Sequence, residues 1–259
     1  MNQESHKNPH KPRHRGIYLL PNLFTTAALF AGFYAIVAAM HGKFEQAAIA
    51  VFIAMILDGL DGRVARLTNT QSAFGAEYDS LSDMASFGLA PALIMYEWAL
   101  FGMSQYGWQW GKLGWLGAFV YVACAALRLA RFNTRASSTD KRYFQGLPSP
   151  AAAATLAAFV WVGFDYGLPA KTMAVFALVL TVCIGLLMVS SMSYYSFKEF
   201  DFRNKVPFVA LLLIVLAIVF ASIDPPKVLF TVFSLYALSG PLTWLLRLRR
   251  RRRVPSGQD

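Results

Sequence analysis

Asp58-x-x-Asp61-Gly62-x-x-Ala65-Arg66, followed by Gly75-x-x-x-Asp79-x-x-x-Asp83, puts four carboxylates where two apolar, membrane-length segments meet. Charge beside hydrocarbon is costly and marks a functional site unless cations or water relieve it. At about 100° per residue, Asp58, Asp61, Gly62 and Ala65 fall within a roughly 100° sector of one helix. Asp79 and Asp83, four apart, share a face of the next. One pair ends an incoming helix and the other begins an outgoing one, so all four reach a similar depth. Four such acids repel one another unless they hold hard divalent cations, and two cations suit the count. A single aspartate at a helix end would read as a cap or a snorkelling charge; four at this spacing, interleaved with Gly, Ala and Arg, do not.

The chemistry suited to this arrangement is substitution at a lipid-linked pyrophosphate. Cations neutralise the diphosphate and stabilise the leaving phosphate, while a carboxylate deprotonates an incoming hydroxyl. Gly62 and Ala65 remove bulk beside the acids, so a flat or phosphorylated ligand can approach the helix closely. Arg66 lies at the sector's edge, within reach of a phosphate. Asp58 sits about 20 Å along its helix from the far end, at 1.5 Å per residue.

The elements that must carry these residues are membrane helices. The 259 residues are 56% hydrophobic and 15% charged, with a mean hydropathy of +0.44, too apolar for a soluble domain. Repeated apolar runs of about 20 residues predict an all-α polytopic bundle. Eight spans are expected, at 17–40, 45–67, 77–101, 114–133, 148–165, 171–193, 206–223 and 227–247. They form one integral membrane domain over 17–247 between basic tails at 1–16 and 248–259. Turn chemistry marks the connections at His41-Gly42, Gly107 to Gly111, Asp165-Tyr166-Gly167 and Asp224-Pro225-Pro226. The first apolar stretch is too long for a signal-peptide core and reads as a retained span.

Eight spans put both termini on one side of the membrane, with 20 of the 24 Lys and Arg residues; Lys43, Lys112, Lys171 and Lys227 take the other side. The positive-inside rule then sets both tails and the aspartates towards the cytoplasm. Trp98, Tyr106, Trp108, Trp110 and Trp115 surround the outer loop after span three as an interfacial belt. The net charge of +10 and the run Arg249 to Arg253 therefore speak for anionic headgroups at the membrane surface, not nucleic acid. Cys124 and Cys183 lie within apolar runs as small core residues. The four histidines lack ligand spacing. Ala151 to Ala154 read as a helix-packing surface.

The stretch Asp58 to Asp83 resembles the signature of the CDP-alcohol phosphotransferase family, with its fixed positions matched over 26 residues. The resemblance implies a six-helix core, here with two added C-terminal helices, and a homodimer. It implies displacement of CMP from a CDP-linked alcohol by a second alcohol, with Mg²⁺ or Mn²⁺. Carried over, Asp58, Asp61 and Asp79 bind metal, and Asp83 completes the site and acts as general base. Gly62, Ala65, Arg66 and Gly75 line the CDP pocket, with Asp58 and Asp79 beside it.

Further motifs are similar to those of bacterial membrane-embedded phosphatidylserine synthases: Leu20-Pro21-Asn22 with Thr25, Arg128-Leu129-Ala130-Arg131-Phe132-Asn133, Gly146-Leu147-Pro148-Ser149-Pro150-Ala151 and Ser196-Phe197-Lys198. They imply CDP-diacylglycerol as donor, L-serine as acceptor and the bacterial inner membrane as location. Arg128 and Arg131, three apart, share a helix face and suit a carboxylate or phosphate, or simply mark a cytoplasmic helix end. Asn133 and Ser149 join them as acceptor-site candidates, and Pro148 and Pro150 are ordinary helix-start residues. The rival acceptors are glycerol 3-phosphate, an inositol phosphate and choline. A rival class is an ion- or proton-coupled transporter, against which stand the clustering of the acids at one face and the lack of an inverted repeat.

Overall fold

In the computed structural model the described residues are 19–68, 70, 72–135, 143–195, 216, 219 and 222–251. The N-terminal tail, the C-terminal residues from 252, most of the expected span 206–223 and the Ser196-Phe197-Lys198 motif lie outside them. Among the described residues seven helices run in chain order: α1 Leu19–Met40, α2 Phe44–Leu67, α3 Ala73–Tyr106, α4 Trp108–Arg135, α5 Ser149–Asp165, α6 Ala170–Val189 and α7 Pro225–Arg251. Two short strands, β1 Tyr143–Gln145 and β2 Ser193–Tyr195, pair antiparallel at the end of the bundle that carries the N-terminus of α5 and the C-terminus of α6. The chain is an all-α membrane bundle. Among the described residues five helices are long and apolar enough to cross a bilayer. Of the other two, α5 is 17 residues long, just short of a full span. The remaining helix, α2, has the length but carries Glu45, Asp58, Asp61, Arg63 and Arg66. The charges that make α2 interesting are those that spoil its hydropathy.

Several boundaries differ from expectation: the sixth span, expected to run to 193, stops at Val189, and Ser193 joins β2. The third helix begins at Ala73 instead of 77, because Ser72 caps it by accepting a bond from the Gly75 backbone N–H at 3.0 Å. Gly75 thus belongs to the first helical turn and not to a loop. At the other end α3 runs on to Tyr106, and α4 starts at Trp108. The expected Gly107–Gly111 turn contracts to Gly107, whose φ of +119° reverses the chain in one residue.

Small residues bring the first three helices together. Ala28, Ala31, Ala35, Ala38 and Ala39 of α1, and Ala47, Ala48, Ala50 and Ala54 of α2, are all buried. In lipid such surfaces associate by close backbone packing, since burial of apolar area gives little drive there. Gly32 shows how close: a Cβ added to it would lie 2.7 Å from the Cα of Ser86 on α3. Two buried serines use that proximity. Ser82 donates to the Thr25 carbonyl at 3.2 Å and Ser86 to the Ala28 carbonyl at 3.1 Å. These bonds fix the rotation of α3 on α1, and with it the face bearing Asp79 and Asp83.

Just beyond Asp83, α3 widens into π-helical turns over Met84–Leu89. Pro91 follows and cannot return the usual bond to the carbonyl four residues back, that of Phe87. Tyr121 of α4, fully buried, donates its hydroxyl to that carbonyl at 2.9 Å. The proline thereby becomes an attachment point between α3 and α4. The last helix docks through aromatics: Phe230 packs on Phe159 of α5, and Phe233 on Phe52 of α2. Exposed Trp108, Trp110 and Trp115 sit at the start of α4, where an interfacial belt belongs.

Candidate active site

The hairpin of α2 and α3 brings the expected acids together. Asp58 and Asp61 from α2 and Asp79 from α3 each offer a carboxylate oxygen, and these atoms all lie within 4.8 Å of one another. Oxygen ligands at this separation fit a hard divalent cation, whose bonds to oxygen are about 2.0–2.6 Å long. Asp83, one turn beyond Asp79, stands outside that trio but against Asp58, within hydrogen-bonding reach of it. Asp61 is the buried member, 5% exposed; Asp58, Asp79 and Asp83 are half-buried.

The side chains around the acids divide into those that hold them and those that leave room. Thr25 of α1, itself buried, donates its hydroxyl to Asp61 Oδ2 at 2.8 Å. The bond fixes the carboxylate's orientation from a helix that contributes no acid. Gly62 lies on the exposed side of α2, and a Cβ built there meets nothing within 4 Å. The protein therefore does not need glycine at 62 for its own packing, whereas a ligand lying along α2 would. Ala65 is half-buried nearby. Arg66 is exposed and donates Nε to the Gly62 carbonyl at 2.9 Å, which holds the guanidinium along the same face.

Asn133, Arg128, Arg131 and Ser149 are all at this end of the bundle, but the two arginines have different partners. Arg128 donates Nη1 to Ser149 Oγ at 3.1 Å, its Nε is buried without a hydrogen bond among the described residues, and its charge faces Asp83. Arg131 instead donates Nη2 to Gln145 Oε1 at 2.7 Å and Nη1 to the Val189 carbonyl at 3.3 Å. Asn133 donates to Ser80 Oγ at 3.0 Å, tying α4 to the turn of α3 between Asp79 and Asp83.

A family model described as CDP-alcohol phosphatidyltransferase matches residues 18–189. The chain belongs to that family. It is 40% identical over 230 residues to the CDP-diacylglycerol–serine O-phosphatidyltransferase of Helicobacter pylori, covering 88% of this chain and 92% of that protein. The protein of the same name from Mycobacterium tuberculosis is 37% identical over 165 residues, which are 61% of this chain and 55% of the relative. An archaetidylserine synthase from Methanothermobacter thermautotrophicus is 33% identical over 177 residues, covering 68% of this chain and 69% of that protein. CDP-alcohol phosphatidyltransferases are generally dependent on a divalent metal, and the three clustered aspartates suit one. With its long apolar helices, this family member is an integral membrane protein.

The residues that orient the acids were harder to see in the sequence than the acids. Thr25 stood out only as part of a short motif, and nothing linked it to Asp61, 36 positions away. Ser82 and Ser86 carried a usable signal, two hydroxyls four apart within an apolar helix. Thr25→Val keeps the side chain's shape and removes the bond to Asp61. Partners that orient metal ligands typically contribute 10–100-fold in metal affinity, so Mn²⁺ binding by calorimetry should weaken by about that factor in Thr25→Val and be retained in Thr25→Ser. Equal Mn²⁺ affinity in Thr25→Val and the unaltered protein would show that Thr25 does not orient Asp61 for metal.

Proposed function

We propose that this chain transfers the phosphatidyl group of CDP-diacylglycerol to the hydroxyl of L-serine, releasing CMP and forming phosphatidylserine. The observation that carries the reading is the convergence of Asp58, Asp61 and Asp79, with Asp83 alongside, in a member of the CDP-alcohol phosphatidyltransferase family. The similarity to serine O-phosphatidyltransferases extends over nearly the whole chain and supports serine as the acceptor.

In this reading Asp58, Asp61 and Asp79 hold two divalent cations, Mg²⁺ or Mn²⁺, with Asp83 completing the set. When bound, the cations neutralise the diphosphate and stabilise the departing phosphate. Gly62, Ala65 and Gly75 let the nucleotide lie close to the helices, and Arg66 pairs with a phosphate. The guanidinium of Arg128, aided by Arg131, Asn133 and Ser149, receives the carboxylate of serine. Because Arg128 faces Asp83, serine held there presents its hydroxyl to that aspartate. Asp83 takes the hydroxyl proton, and the serine oxygen bonds to the lipid-linked phosphorus. The bond from that phosphorus to the bridging oxygen breaks, and CMP departs with the electron pair.

Purified protein supplied with CDP-diacylglycerol, Mn²⁺ and candidate alcohols should release CMP fastest with L-serine. Asp83→Asn should lower turnover by the roughly 10²–10⁴-fold typical of general-base loss while still binding CDP-diacylglycerol. Faster release with glycerol 3-phosphate would overturn the acceptor, and near-normal turnover in Asp83→Asn would remove it as base.

The reading also sets the site towards the cytoplasm of a bacterial inner membrane, with the Arg249–Arg253 run against anionic lipids. Its support is the asymmetry of basic residues. In a Cys124→Ala, Cys183→Ala background, an impermeant thiol reagent added to intact cells should label Gln109→Cys. It should reach Ala73→Cys only after the membrane is opened. The opposite pattern would invert the orientation.

A further inference from the structure

The family match ends at Val189, yet the chain beyond it is tied to the residues assigned to the acceptor. Tyr194 of β2 is fully buried, and its ring fills the space over Gly240 of α7, where an added Cβ would lie 2.3 Å from the ring. Its hydroxyl donates to the Ala237 carbonyl at 2.9 Å. That carbonyl is four residues before Pro241, which has no N–H to give it. Tyr236 of the same helix answers in the other direction, donating to the Tyr195 carbonyl at 3.1 Å. Helix α7 and strand β2 are thus joined at two points, one of them built from a matched Tyr, Gly and Pro.

From β2 the connection continues to the arginines. Gln145 of β1 pairs with Ser193 of β2, and the Gly146 N–H donates to the Met192 carbonyl at 2.8 Å. Gly146 has a φ of +77°, and a Cβ there would lie 2.1 Å from the Met188 carbonyl oxygen, so the connection is pressed against the end of α6. Gln145 Oε1 is the atom that receives Arg131 Nη2, and Ser149, four residues on, receives Arg128. Tyr236 also lies near Arg128.

We propose that Tyr194 is a positioning residue for the acceptor: by binding the carbonyl that Pro241 leaves free, it fastens α7 to the β1–β2 ribbon, and the ribbon holds Arg131 and Arg128 in place to receive the acceptor's carboxylate. The proposal rests on the assignment of those arginines to the acceptor. It makes the last helix, outside the family match, a determinant of acceptor affinity.

Tyr194→Phe keeps the ring over Gly240 and removes only the tether. The serine KM should rise about tenfold, with kcat and the KM for CDP-diacylglycerol within about twofold, as for a hydrogen bond whose loss weakens ground-state binding. Tyr194→Phe combined with Pro241→Ala separates positioning from folding. Alanine at 241 supplies the helical N–H that satisfies Ala237, so thermal stability in detergent should return while the serine KM stays high. A serine KM that returns to normal with stability in the double variant would make the tyrosine merely structural and overturn the proposal. So would a normal serine KM in Tyr194→Phe when Arg128→Lys or Arg131→Lys raises it. If neither Arg128→Lys nor Arg131→Lys raises the serine KM, the acceptor assignment falls and the tether proposal falls with it.

Discussion

Mutual repulsion of carboxylates is the constraint on which the rest of this bundle depends. Asp58, Asp61 and Asp79 bring oxygens within 4.8 Å, where two unit charges repel by about 3.5 kcal/mol at an effective dielectric of roughly 20. Asp83 brings a fourth carboxyl group against Asp58. Nothing in the packing of apolar helices favours that gathering, so the fold must impose it. The cations of the proposed reaction then relieve it: an arrangement costly without metal is one in which metal and a diphosphate bind strongly.

The fold imposes it by rigid, short-range devices. Alanines and Gly32 draw α1, α2 and α3 close, and Ser82, Ser86 and Thr25 convert that closeness into fixed rotation through hydrogen bonds. Twice, a proline leaves a helical carbonyl without its usual donor and a buried tyrosine from a neighbouring element takes it: Tyr121 at Phe87, ahead of Pro91, and Tyr194 at Ala237, ahead of Pro241. Within a membrane an unsatisfied carbonyl is costly, so each pairing specifies one arrangement of two elements. The first lies one turn past Asp83. The second lies at the ribbon that carries the partner of Arg131.

The acids were legible in the sequence because their spacing is a helix period and their cost in hydrocarbon leaves few bland explanations. Asp58, Asp61 and Asp79 meet where the periodicity put them, and the apolar runs located the described helices, less closely at both ends of α3 and at the start of α4. The start of α3 was misplaced because the Ser72 cap extends the helix into a polar stretch. The Gly107 reversal was overestimated because polar and aromatic residues after it read as loop although they open α4. The different partners of Arg128 and Arg131 were hidden for a deeper reason. Three-residue spacing fixes a shared helix face but not which neighbour each side chain meets, and Gln145 and the Val189 carbonyl come from elements far along the chain.

The central claim, that these aspartates form a two-cation site, is tested most directly by electron paramagnetic resonance of the full-length protein loaded with Mn²⁺ and CDP-diacylglycerol. The account predicts two Mn²⁺ per chain with a spectrum of a magnetically coupled pair, lost in Asp61→Asn. A single uncoupled Mn²⁺, or a coupled pair that survives Asp61→Asn, would contradict it.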